Sequence, residues 1–137
     1  MAGQKKLAIR AGVAAYGADE RSAWRMALTR FGAQTLPWGF EGDVPSTHLD
    51  IWLVILDTWM PPSHYVAWLR QLTAPTLLVS PLGPPVLQAS EVIPHPVLVC
   101  SPHVAWASLP EVIEMLLEMT VGNVLLRDEG VPYTLIE

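Results

Sequence analysis

Asp50-Ile51-Trp52-Leu53-Val54-Ile55-Leu56-Asp57-Thr58-Trp59-Met60-Pro61-Pro62 is the stretch whose reading decides the fold. Ile51 to Leu56 form an unbroken apolar run between two aspartates. A run this short, bounded by polar and turn residues, reads as a strand buried on both faces, the setting of a parallel sheet. Asp57 then stands at the carboxyl end of that strand, where open α/β sheets place their chemistry. The competing reading of Asp57 is a loop carboxylate that caps the next element.

The flanks repeat the pattern. On the amino-terminal side, residues 9–16 read as a first strand, weakened by alanines and Gly12. From Asp19 to Phe31, Trp24, Ala27, Leu28 and Phe31 recur at i, i+3, i+4 and i+7, one face of a helix. Asp19 and Glu20 suit its first turn and Gly32 its stop. Residues 33–38 read as a second strand, placed at an edge by Pro37. Residues 39–48 read as loop or a poor helix. On the carboxyl-terminal side, Tyr65, Trp68, Leu69 and Leu72 mark a helix over 63–72, with Ser63 as its cap and Pro75 as its end. Strands are expected at 76–80 and 96–100. Three prolines and a glycine in 81–90 leave room only for a short or distorted helix. Ser108-Leu109-Pro110-Glu111 matches a capping box and opens an apolar helical stripe to about Met119. Residues 120–137, with short apolar runs around Asp128-Glu129-Gly130, read as a hairpin or a linker beyond a domain of residues 1–119. Strands alternating with helices predict an α/β fold: a doubly wound, five-stranded parallel sheet with helices on both faces.

Composition narrows the function classes. The chain has 137 residues, 51% hydrophobic and 15% charged, enough for one domain with a real core. Net charge is −5 and there is no basic block, which argues against nucleic-acid binding. The apolar runs are too short to insert in a membrane, and no signal peptide is evident. The single cysteine, Cys100, forms no internal disulfide and suits a reducing, cytoplasmic setting. Six tryptophans are too many to assign wholly to a core, because tryptophan is also enriched at interfaces. Cys100 lies near His103 in sequence but lacks an evident oxyanion site, and the four histidines show no metal-ligand spacing. The chain has no Gly-rich phosphate loop.

Leu56-Asp57-x-x-Met60-Pro61 resembles the phosphoacceptor segment of receiver domains of two-component signalling. The resemblance covers roughly residues 7–119 and implies a flavodoxin-like fold. It gives Asp57 the place of the phosphoacceptor and Ser80 that of the hydroxyl residue contacting the phosphoryl group. Ser101-Pro102 falls where the family has Lys-Pro, and Arg21 and Gly32 reproduce a spacing of the first helix. Two departures stand out. The acidic pair that holds Mg²⁺ is replaced by Ala15 and Tyr16, with Asp19 and Glu20 a few residues on as poor substitutes, and the lysine is replaced by Ser101. One carboxylate alone is a weak Mg²⁺ site. Losing the metal and the cation should cost several kcal/mol of transition-state stabilisation, at a factor of ten in rate for each ~1.4 kcal/mol.

The resemblance is therefore to a degenerate, or pseudo-, receiver of the kind found in hybrid sensor histidine kinases. It implies a non-catalytic signalling module without a cofactor, working through other domains of a sensor kinase or through phosphorelay proteins. A homodimer is left open, as is membership of a membrane-anchored kinase. Trp59, His103 and Trp106 are the candidate interface residues. The first alternative is a phosphorylatable receiver in which Asp57 accepts from phospho-His with Mg²⁺. The second is a flavodoxin-like enzyme or small-ligand-binding domain using Asp57 or Cys100.

Overall fold

The computed structural model describes residues 8–41, 43–45, 47–57, 62–72, 74–80, 96–119, 124–128 and 131–135. Its elements are β1 (Arg10–Ala14), α1 (Ala18–Arg30), β2 (Gln34–Trp38), β3 (Ile51–Ile55), α2 (Pro62–Gln71), β4 (Thr76–Val79), β5 (Val97–Cys100), α3 (Pro102–Ala107), α4 (Leu109–Leu117), β6 (Val124–Asp128) and β7 (Val131–Leu135). Strand order is β2-β1-β3-β4-β5-β6-β7. The first five strands in that order are parallel, as the alternation of elements predicts, so the α/β flavodoxin-like class holds. The sheet does not stop at five strands. β6 pairs parallel with β5, and β7 returns antiparallel to β6. The irregular segment expected at 81–90 lies outside the described residues.

Alternation along β3 builds two cores. Ile51, Leu53 and Ile55 face a layer made by Trp24 and Leu28 of α1, Ala105 of α3, and Leu109, Val112, Ile113 and Leu116 of α4. Trp52, Val54 and Leu56 face the opposite side, with Trp38, Leu69, Leu72, Val97 and Val99. All five residues of β3 are buried, the pattern of a strand covered on both faces.

Several local readings change. Gly12 does not weaken β1. It pairs in register with Trp52, and a Cβ there would lie 2.5 Å from the indole, so the glycine is the space in which Trp52 lies. The end of α1 follows the expectation in full. Gly32 has φ 96°, its N–H donates to Thr29 O, and the Ala33 N–H donates to Leu28 O, a Schellman closure. In β2, Gln34 N–H donates to Ile9 O and Trp38 O accepts from Ala15 N–H. Pleating therefore turns the Pro37 nitrogen outward, where the edge strand loses no ladder bond. α2 begins at Pro62, which puts Ser63 inside its first turn rather than at its cap. The capping box also differs: Ser108 precedes α4, yet its side chain makes no cap hydrogen bond. The reason is α3, a short helix absent from the sequence reading. Its last turn runs directly into Ser108, whose N–H donates to Val104 O.

Candidate functional site

The strand ends bring the candidate residues to one edge. Leu56 N–H donates to Val79 O and Ser80 N–H to Cys100 O, so Asp57, Ser80 and Ser101 follow β3, β4 and β5 side by side. Asp57 is half-buried and Ser80 is buried. Ala15, just past β1, is fully buried, and Tyr16 beside it is 52% exposed. This corner lies between β1 and β3, where the strand order reverses, the general position of ligand crevices in open α/β sheets.

Ser101 has a structural task. Its Oγ accepts from the Val104 N–H at 3.3 Å and caps α3, with Pro102 in the first turn. Where the resemblance implies a lysine reaching toward Asp57, the chain has a hydroxyl turned to its own helix. Cys100 is fully buried in the core beneath α1, α3 and α4, away from any substrate. His103 and Trp106, on α3, are exposed. Trp59, with Met60 and Pro61, lies outside the described residues.

Aromatic rings fill the corner where the resemblance places a carboxylate pair. Tyr16 stacks on Phe40 with centroids 6.4 Å apart, and Phe40 stacks on Trp68 at 4.3 Å. Trp38 meets Phe40 and Trp68 edge-on at 5.2 and 6.0 Å. Phe40 reaches this place with φ 65°, a left-handed backbone that a bulky residue adopts at a cost. The indole N–H of Trp38 donates to Glu41 O at 3.1 Å and closes the turn around it. The burial of Phe40, 8% exposed, offsets that cost.

Two further residues bear on this corner: Arg21, read from the sequence only for its spacing to Gly32, and Glu20, read only as a poor substitute for the missing acidic pair. The Arg21 Nη1 donates to Ala15 O at 2.7 Å and also lies 3.0 Å from where a Cβ on Gly39 would stand. The guanidinium thus ties α1 to the exits of β1 and β2. Arg25 Nε donates to Thr35 Oγ1 at 3.0 Å, so the two arginines serve separate tethers. Glu20, in the first turn of α1, comes within electrostatic range of Asp57. Its carboxyl titrates above the ordinary glutamate value, chiefly because it is partly desolvated and secondarily because of the Asp57 charge. Glu20 is exposed as a residue, so only part of its carboxylate's hydration is lost. The signal was available in principle: Glu20 is one helical turn beyond Tyr16, at the same sheet edge.

That shift has a sign. Below the ordinary glutamate pKa of 4.5 the side chain is protonated in both folded and unfolded states. As pH rises through the higher folded value, the native state must carry a charge it disfavours, and stability falls. Glu20→Gln should therefore leave stability unchanged in acid and raise it at neutral pH. At this exposure the gain is about 0.5 kcal/mol or less. Urea unfolding at the two pH values checks it; an equal gain at both would remove the carboxylate charge as the cause.

No protein-family model, curated protein or solved structure matches the chain. The site must therefore be read from its own chemistry. Glu20 and Asp57 are two carboxylates, and among the described residues no three His, Cys, Asp or Glu side chains converge to hold a metal ion. Among the described residues, Ala15 and Tyr16 stand where the resemblance places the carboxylate ligands of Mg²⁺. No described helix is long and apolar enough to cross a membrane.

Proposed function

We propose that the chain is a non-catalytic signalling module, a degenerate receiver of a phosphorelay protein that acts through contacts with neighbouring domains, as in a hybrid sensor kinase. The observation that carries this reading is the corner beside Asp57. Buried Ala15 and the Tyr16–Phe40–Trp68 stack stand where two metal-binding carboxylates would be needed. The hydroxyl of Ser101 is engaged with α3. Phosphoryl transfer depends on charges that offset those developing on the equatorial oxygens. Glu20, a second acid, lies within electrostatic range of Asp57, and its charge would oppose rather than offset them. A half-exposed tyrosine over a packed aromatic base is by contrast a good contact surface, rigid and amphipathic.

The proximity of Glu20 favours one second reading, in which Glu20 and Asp57 together recruit Mg²⁺ and Asp57 accepts a phosphoryl group from phospho-His. An enzyme built on Cys100 draws no support from a thiol sealed in the core.

Titration with Mg²⁺ and then beryllofluoride, followed by tryptophan fluorescence, separates the two readings. Trp59 is two residues from Asp57 in sequence and should respond to occupancy. A contact module gives no saturable change at millimolar Mg²⁺. A saturable change abolished by both Asp57→Asn and Glu20→Gln would overturn the proposal and establish a phosphorylation switch.

A further inference from the structure

The outer surface of the α1–α3–α4 layer is divided by charge. At one end, α1 exposes Arg30 and Met26, the latter 61% exposed. Arg25 lies alongside, and with Ser22, Thr29 and Thr35 these residues line an open groove of about 480 Å³ against β2. Among the described residues, no carboxylate lines that groove. At the other end, Glu111 and Glu114 of α4 and Glu118 at its C-cap are exposed, and their i, i+3, i+7 spacing sets them on one stripe opposite the buried face. Leu117, 43% exposed, flanks the stripe, and the last turn of α4 has no basic residue. Between the two ends stands Trp106 on α3. It is 52% exposed, with its ring 4.9 Å from Trp24 of α1 in an edge-to-face contact.

A surface with a basic end, an apolar middle and an acidic end is complementary to itself under a twofold axis through the middle. In such a pairing every contact is made twice, and the basic end of each copy meets the acidic end of the other. At net charge −5 two copies repel overall, so the matched ends have to outweigh that repulsion and are what sets the orientation of the pair. Asp19 and Glu20 are the acids of α1 and belong to its opposite, amino-terminal end.

We propose that the α1–α3–α4 face docks a second copy of this chain. In that isologous dimer Arg25 and Arg30 of each copy face Glu111 and Glu118 of the other, around a central pair of Trp106 rings. The rings supply the desolvated anchor and the charged ends fix the orientation. The pairing uses no residue at the edge around Asp57, so it stands or falls separately from the reading of that site.

Sedimentation velocity of the whole chain over a range of concentrations tests the pairing. The wild type should form a dimer that weakens as salt screens the paired ends. Arg25→Glu/Arg30→Glu and Glu111→Lys/Glu118→Lys should each weaken dimerisation by roughly 100-fold or more, because like charges then meet at both ends. An equimolar mixture of the two variants should recover a heterodimer, since each basic end again finds an acidic one. That recovery also shows that both variants are folded. Trp106→Glu, away from the charged ends, should give monomer with unchanged far-ultraviolet circular dichroism. A wild type that is monomeric at every concentration would overturn the pairing and assign the face to a different partner. A dimer that survives both charge reversals would overturn it too.

Discussion

Gly12→Val is expected to cost the fold about 3 kcal/mol or more, at the upper end of what overpacking a core does. Gly12 sits in β1, hydrogen-bonded between β2 and β3. Trp52, its register partner on β3, is 1% exposed and lies over it. Three atoms of the indole would be 2.5, 2.6 and 2.7 Å from a Cβ at this position. The ring has nowhere to go, because Trp38 meets it edge-on at 5.9 Å from the β2 side. The strand cannot retreat either, because both its neighbours pair with it. Valine favours strands over glycine, so propensity alone predicts a gain of up to about 1 kcal/mol; the contact outweighs it. Urea unfolding of Gly12→Val, Trp52→Leu and the double variant decides the matter. Both single changes should destabilise, and the cost of valine should shrink once the indole is gone. A Gly12→Val chain as stable as the parent would mean that Trp52 does not lie over β1.

Gly12 also illustrates where a sequence stops being legible. The class of fold was readable from β3, β4 and β5, because strands buried on both faces are apolar at nearly every position and few other elements are. The helix face of α1 and its Gly32 stop were readable for the same local reason: periodicity and a left-handed residue are properties of the segment itself. Gly12 was read as a liability because its reason for being glycine lies 40 residues away, on Trp52. Ser108 matched a cap by pattern, yet α3, too short to show an apolar period, runs straight into it. At the site, Asp57, Ser80 and Ser101 could be placed at one edge by counting strands. Glu20 could be set near that edge as a poor substitute for the missing acids, but the tether from Arg21 to Ala15 O and the left-handed Phe40 could not be foreseen. Those depend on how the first turn of α1 and the exit of β2 fold over the sheet edge, which no period encodes. Arg21 is the clearest case. As a letter in a helix it is a surface cation, whereas in the fold it binds a strand-end carbonyl and helps hold the aromatic corner on which the contact reading depends.

The second large effect is expected from Leu53→Ala, at about 2–5 kcal/mol. Leu53 is fully buried at the centre of β3, between Val13 of β1 and Leu77 of β4 in register. It belongs to the core that receives Trp24 and Leu28 from α1 and Ile113 and Leu116 from α4. The position is shared by every element on that face, so the cavity left by alanine can close only if several of them move together. Helices packed on a seven-stranded sheet cannot all shift toward one strand, so most of the lost volume should remain empty. The cost should therefore fall in the upper half of the range. Leu117→Ala, on the exposed side of α4 at 43% exposure, removes the same atoms from water rather than from a core and should change stability by about 0.5 kcal/mol or less. The contrast matters because Leu117 also borders the proposed dimer face. At concentrations where the chain is monomeric, only Leu53→Ala should lower the urea midpoint, with the slope of the transition unchanged. If Leu53→Ala lost less than about 1 kcal/mol, the layer of α1 and α4 would not be packed on β3 as described, and the exposed face inferred from that packing would fall with it.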